Sequence, residues 1–296
     1  MNNRPIPARN INVSNVSFVV GQSKAGRNPS INFKYEGNNL QILVPRMGFP
    51  GGVLVRDGET GTTTYTLIGS LKGCDPYAKD RAPESAGEMG SFYNLLLDLE
   101  ENIIHAAVEN SVKWFGKKRS EEAIRDSFKR IISTSTDRVD GEYIPNGKYP
   151  PSFRAKVPVY DNRVSMSGGI VDNMKNPVYA TPESLVSVFP KGVEANMVVT
   201  ASIYVIAGGG FGVTWRLQSA QVFPRARLSA SDVFDAVPDE DAPPPSQGTA
   251  VEVDESQHQA VAESNDDTAY PPTPDRAPSQ QTPNAPARKR RVAVAT

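Results

Sequence analysis

The six residues Trp114-Phe115-Gly116-Lys117-Lys118-Arg119 set two aromatic rings beside three cations. Rings stack on bases and cations neutralise phosphates, so this is the composition of a contact to single-stranded nucleic acid. The same residues also suit a core-anchoring tryptophan followed by a solvated charge run. Phe153-Arg154-Ala155-Lys156 repeats the pairing, because on a strand Arg154 and Lys156 share one face while Phe153 and Ala155 share the other. A third place lies near the end of the ordered-looking body. Val193, Ala195, Met197, Val199, Ala201, Ile203 and Val205 alternate with mostly polar residues, and after Gly208-Gly209-Gly210 the apolar set resumes at Phe211, Val213, Trp215 and Leu217. This predicts a hairpin with a three-glycine loop. Pairing Ala207 with Phe211 sets Ile203 opposite Trp215 and Ser202 opposite Arg216. Parity then sends Trp215 toward the core and leaves Arg216 on the polar face with Ser202, Tyr204 and Thr214.

Catalytic chemistry has little to draw on. His105 and His258 are the only histidines, and no Cys/His or HExxH spacing is present to hold zinc. His105 sits on the polar face of a helical pattern and reads as a solvated residue. Gly21-Gln22-Ser23-Lys24-Ala25-Gly26-Arg27-Asn28 follows a strand-like run but lacks the Lys and hydroxyl of a phosphate loop, and Pro29 opposes the helix that such a loop opens. The expectation is a protein without catalysis, metal or cofactor. Cys74 is the single cysteine, which excludes an intrachain disulfide and suits a reducing compartment. No run approaches the ~18 apolar residues of a membrane span, and the N-terminus has no apolar signal core. An intracellular protein with no membrane contact is expected.

The elements that must carry these residues are short strands and one long helix. Strand-like runs occur at Ile11–Val20, Ile31–Tyr35, Leu40–Val44, Val53–Arg56 and Thr62–Leu71, separated by Pro and Gly turns such as Pro50-Gly51-Gly52. From Ser91 the period changes. Phe92, Leu95, Leu96, Leu99, Ile103 and Ala107 fall at helical spacing, with Asp98, Glu101, His105 and Glu109 opposite, and this helix ends near Trp114-Phe115-Gly116. Ser120 caps a second helix with Glu121 and Glu122 in its first turn, predicted to stop around Ile132. Further strands follow at Phe153–Tyr160 and Val164–Met166, and Thr181-Pro182-Glu183 starts a short helical turn.

Charge divides the chain. Residues 1–231 carry 27 Lys and Arg against 21 Asp and Glu, whereas 232–296 carry 5 against 12. The stretch 232–275 holds all 12 of those acids and no Lys or Arg among many Pro, Ser and Ala, a composition that cannot bury enough surface to fold alone. Its end inverts at Arg288-Lys289-Arg290-Arg291, which has the character of a nuclear-import signal. The expected organisation is a basic N-terminal arm and first strand over 1–30, a binding domain over 31–231, and a disordered acidic tail over 232–296. A polyanion tethered to a basic body competes with DNA phosphates for the same cations.

Taken in order, Trp114–Lys118, Tyr149-Pro150-Pro151-Ser152-Phe153-Arg154-Ala155-Lys156 and Ala207–Trp215 resemble the single-stranded-DNA-binding proteins of nucleo-cytoplasmic large DNA viruses. That group is similar to the helix-destabilising protein of T-seven-like phages. The resemblance spans roughly residues 31 to 224. It implies an OB-type barrel with an inserted long helix and a short second helix, no catalysis, and an acidic tail that contacts replication proteins such as polymerase or helicase-primase. In the phage proteins the acidic stretch runs to an aromatic C-terminal residue. Here it is followed by Arg288–Arg291, although Phe234 and Tyr270 offer aromatics within the tail.

The expected function is sequence-independent binding of single-stranded DNA in viral replication or recombination. The candidate contacts are Trp114, Phe115, Lys117, Lys118, Arg119, Phe153, Arg154, Lys156, Tyr204, Phe211, Trp215 and Arg216. A homodimer is a further candidate partner, and the host nucleus or a viral replication site the expected location. The rival reading is a structural or virion-associated β-domain that binds nucleic acid or protein without single-strand preference.

Overall fold

Long alternation of apolar and polar residues is satisfied by a strand with one buried face. The two stretches that show it form the longest strands, of 13 residues each. The structure is a computed structural model that describes residues 4–21, 30–58, 61–206 and 208–223. The segment 22–29, the acidic tail and its basic end lie outside the described residues. In chain order the principal strands are β1 (Val16–Val20), β2 (Ile31–Tyr35), β3 (Gln41–Phe49), β4 (Val53–Asp57) and β5 (Thr63–Ser70), followed by β6 (Ser152–Val157), β7 (Gly169–Val171), β8 (Val193–Val205) and β9 (Phe211–Phe223). The helices are α1 (Gly87–Glu109), α2 (Ser111–Phe115), α3 (Glu121–Ser127) and α4 (Leu185–Val188). The fold is mainly β with one long inserted helix.

Pairing closes the sheet into a barrel. β4 pairs antiparallel with β5, β5 with β6, and β8 with both β9 and β3. Within the ring formed by β3, β4, β5, β6, β9 and β8 the one parallel step joins β6 to β9 at Lys156 opposite Arg216. β3 and β4 are separated only by Pro50-Gly51-Gly52, so they act as one bent strand whose halves seal opposite ends of the sheet. Counted this way there are five strands, in the circular order and with the one parallel contact of an OB-type barrel. The bend needs Gly52: its φ is +62°, and a Cβ there would lie 2.4 Å from the Phe189 carbonyl oxygen. β1 and β2 form a hairpin joined to β8 through Asn32 and Ile31, and β7 extends the sheet beside the end of β9.

Nine aromatic rings run through the interior in unbroken contact. Phe92 of α1 meets Phe153 edge-on at 5.1 Å, Phe153 meets Trp215 at 5.4 Å, and Trp215 meets Phe33 at 6.1 Å. The line continues from Phe33 through Phe18 to Trp114 and then Phe115, Phe211 and Phe128, with centroids 5.0–6.3 Å apart. Such pairs contribute about 0.5–1.5 kcal/mol each beyond area burial, so this line fastens helix, barrel and N-terminal hairpin together. All six apolar positions predicted for the helix are buried, while Asp98 and Glu101 on its outer face hold Arg81 and Arg125 in bidentate pairs. α1 stops at Glu109. α2 follows as a separate turn, closed by Gly116 at φ +72°.

Three local expectations are corrected. The second helix keeps its Ser120 cap, whose Oγ accepts from Ala123 N at 3.3 Å, but it stops at Ser127 rather than Ile132. The reason is Glu100, a buried carboxylate of α1 that takes the backbone N–H groups of Ile131 and Ile132 and the Arg130 side chain. Those N–H groups are thereby drawn out of the helical ladder, and Phe128-Lys129 pairs with β9 instead. The run Ile11–Val20 becomes a strand only from Val16, because Asn12 caps a short 3-10 turn over Val13–Asn15. In the β8–β9 hairpin Ala201, not Ile203, faces Trp215, and Ile203 faces Val213. The connection takes five residues, with Ile206 N donating to Gly210 O, and the two-residue displacement leaves every side chain on its expected face.

Candidate nucleic-acid interface

Alternation along five neighbouring strands gathers one outward-facing polar surface. On β6, Phe153, Ala155 and Val157 point inward, while Arg154 and Lys156 are exposed. Lys156 lies opposite Arg216 on β9 and Thr66 on β5, and Thr66 in turn faces Leu54 on β4. Arg154 faces Ile68, and Arg56 faces Thr64. On the other side Arg216 faces Thr200 of β8, Thr214 faces Ser202, and Tyr204 faces Gly212, whose other neighbour is Lys129. None of these outward residues is acidic. Among the described residues Arg56, Lys129, Arg154, Lys156 and Arg216 enter no ion pair, whereas Arg81, Arg125 and Arg130 elsewhere all do.

Gathering cations without counter-charges has a cost that is visible at Arg154. Partial burial first, and the nearby Arg56 guanidinium second, lower its pKa from the usual arginine value. Arg216 donates from Nη1 to Ser202 Oγ at 2.7 Å, which fixes the guanidinium across β8. Tyr204 is half-buried on the same face, and burial raises its phenol pKa. A surface that holds five unpaired cations with hydroxyl groups between them is equipped to take a row of phosphates.

The residues singled out from sequence divide between this face and the core. Arg154, Lys156, Tyr204 and Arg216 lie on the face, and Lys117 and Lys118 are exposed on the loop after α2. Trp114, Phe153, Phe211 and Trp215 are corrected as surface stacking groups: each is at most 5 % exposed and belongs to the aromatic line, so none presents a free ring. Phe115 is partly buried against Phe211. Arg119 is also mostly engaged within the protein, with Nη1 donating to Gly209 O at 2.7 Å and its guanidinium 4.4 Å above the Phe115 ring. Each motif is therefore two-faced, with its aromatic inward and the adjoining cation outward. Arg56, Leu54, Thr66, Ile68 and Lys129 were not singled out. Alternation in Val53–Arg56 and Thr62–Leu71 marks which of them face outward, but not that those strands lie beside β6.

Among the described residues no group of three or more His, Cys, Asp and Glu is placed to hold a metal ion, and no helix is long and apolar enough to cross a membrane. No family model and no curated protein matches the chain. Among solved structures it is similar to the crystal structure of gp2.5, a single-stranded DNA binding protein encoded by bacteriophage T7. The match has 12 % identity and a TM-score of 0.37, and covers 70 % of this chain and 98 % of that one.

Proposed function

We propose that this chain binds single-stranded DNA without regard to sequence and acts by coating it, not by catalysis. The observation that carries the reading is the outward patch from Arg56 on β4 across β5, β6 and β9 to Thr200–Tyr204 on β8, which holds no acid (Glu194, further along β8, is paired with Arg46) and where Arg56, Arg154, Lys156 and Arg216 stand unpaired on a closed five-strand barrel. An OB-type barrel presents the corresponding face to oligonucleotides. A strand surface of this kind meets the backbone of a single strand along its length, and Tyr204 offers one ring for stacking. A role in replication or recombination of a large DNA virus is part of this proposal, as is import into a nucleus through Arg288–Arg291.

The test is a competition at equal salt between a fluorescent single-stranded oligonucleotide and unlabelled duplex of the same sequence. Preference for the single strand by tenfold or more supports the reading. Equal affinity for both forms refutes it in favour of a basic β-domain that binds any polyanion.

A further inference from the structure

The loop Gly116–Ser120 carries Lys117 and Lys118, both exposed, between two helices that do not belong to the barrel. One residue ties this loop to the end of the strand face. Arg119 donates to the carbonyl of Gly209 at the tip of the β8–β9 hairpin, its Nε is buried without a partner, and it enters no ion pair among the described residues. The approach is close enough that a Cβ at Gly209, whose φ is +89°, would lie 2.2 Å from an Arg119 nitrogen. The neighbouring Arg119 N–H is anchored as well, donating to Ser111 Oγ at 3.3 Å. Leaving a guanidinium nitrogen buried and unsatisfied costs stability. The arrangement therefore fixes where the two lysines stand more firmly than a surface loop requires.

We propose that Lys117 and Lys118 form a second phosphate-contact zone, distinct from the strand face, with Arg119 as its positioning residue. This rests on the single-strand reading above and extends it to the length of the bound strand. From Phe211, the first strand residue after the hairpin tip, to Arg216 is five residues, about 17 Å along β9 at about 3.3 Å per residue. A stacked single strand advances about 3.4 Å per phosphate, so the two zones are separated by about five nucleotides. Lys129 and Tyr204, which flank Gly212, lie between them. A short oligonucleotide occupies the strand face alone. A long one reaches both zones.

The experiment compares a thymidine oligonucleotide of about four residues with one of about twenty, the first too short and the second long enough to span both zones. Wild type, Lys117→Ala/Lys118→Ala and Arg119→Met are titrated at several salt concentrations, with thermal melting as the check on folding. The double lysine variant should bind the short probe like wild type, and on the long probe its log–log salt slope should fall by about 1.4, from about 0.7 per lost contact. Arg119→Met keeps both lysines, and it too should lose affinity for the long probe alone. Equal losses on both probes, or no loss on the long one, overturn the second zone while leaving the strand face standing. If wild type binds neither probe, or binds duplex equally well, the single-strand reading fails and this zone falls with it.

Discussion

Replacing Arg154 and Lys156 together by alanine isolates the electrostatic share of binding, because both side chains are exposed on β6 and neither holds a partner whose loss would disturb the fold. On an oligonucleotide of about four residues, too short to reach Lys129 or the loop lysines, the four cations Arg56, Arg154, Lys156 and Arg216 give an expected log–log salt slope of about 2.8 at about 0.7 per phosphate. Between about 50 and 200 mM salt, wild type should lose about 50-fold in affinity and the double variant only about sevenfold, its slope having dropped to about 1.4. Stability should move the other way. Arg56 lowers the pKa of Arg154, so the two guanidinium groups repel, and Arg56→Ala should raise stability by at most a few tenths of a kcal/mol at these solvent-screened positions while weakening DNA binding. Fluorescence anisotropy of a labelled oligonucleotide at four or more salt concentrations, with melting curves for each variant, measures both. An unchanged slope in a folded Arg154→Ala/Lys156→Ala protein would refute the assignment of this face.

Trp114→Ala and Trp215→Ala should each cost about 3–5 kcal/mol of stability, which at about 2–4 °C per kcal/mol lowers the melting temperature by some 6–20 °C; a Trp114→Ala protein that melts like wild type but has lost DNA binding would return that ring to the interface. Tyr204→Ala should weaken binding by about 1–3 kcal/mol at every salt concentration, while Tyr204→Phe retains it, and a change in salt slope would assign the residue to phosphate instead. Glu100→Ala orphans buried backbone N–H groups at Ile131 and Ile132 and leaves Arg130 unpaired, so a loss of about 3–5 kcal/mol in chemical denaturation is expected without any change in salt slope. Deleting residues 232–296 removes 12 acids against 5 bases, and should tighten binding most at low ionic strength, the gain shrinking toward physiological salt where the Debye length is about 8 Å; no gain at low salt refutes competition by the tail.

Parity was legible because it is local. Phe153 against Arg154 and Trp215 against Arg216 separate on alternation alone, and a register displaced by two residues does not alter it. The helix face from Phe92 to Ala107 was legible for the same reason. Trp114 was not, because a ring at a helix end beside three cations suits either environment until its neighbours are known, and Phe18 lies 96 residues earlier in the chain. The end of α3 depends on Glu100, a residue 31 positions from the N–H it receives. The face itself depends on lateral order. Arg56 is about 100 residues from Arg154, and only the pairing of β4 and β6 on either side of β5 brings them near one another.

The proposed independence of sequence rests on how the outward side chains are already spent. Reading a base needs a group whose donors and acceptors are free to meet its edge, most often the amide of Asn or Gln or the fork of Arg. The amides on β9 are Gln218 and Gln221, and both ends of each are engaged: Gln218 Nε2 donates to Thr200 Oγ1 at 3.0 Å and its Oε1 accepts from Ser167 Oγ at 2.9 Å, while Gln221 donates to the Asp172 carbonyl and accepts from Asn196 Nδ2. Arg216 has one Nη1 bond committed to Ser202, which leaves the remainder of its fork for a charge more than for a matched edge. The threonines at 66, 200 and 214 can donate to phosphate or sugar oxygens in any sequence, while the Thr64 hydroxyl donates to the Arg56 carbonyl. The rings that would have discriminated among bases by stacking strength, Trp114, Phe153, Phe211 and Trp215, are held in the core. What remains among the outward residues of this patch is charge, hydroxyl, the apolar Leu54 and Ile68, and the ring of Tyr204. Affinities for homopolymers of different base should accordingly differ by no more than that one stacking contact supplies.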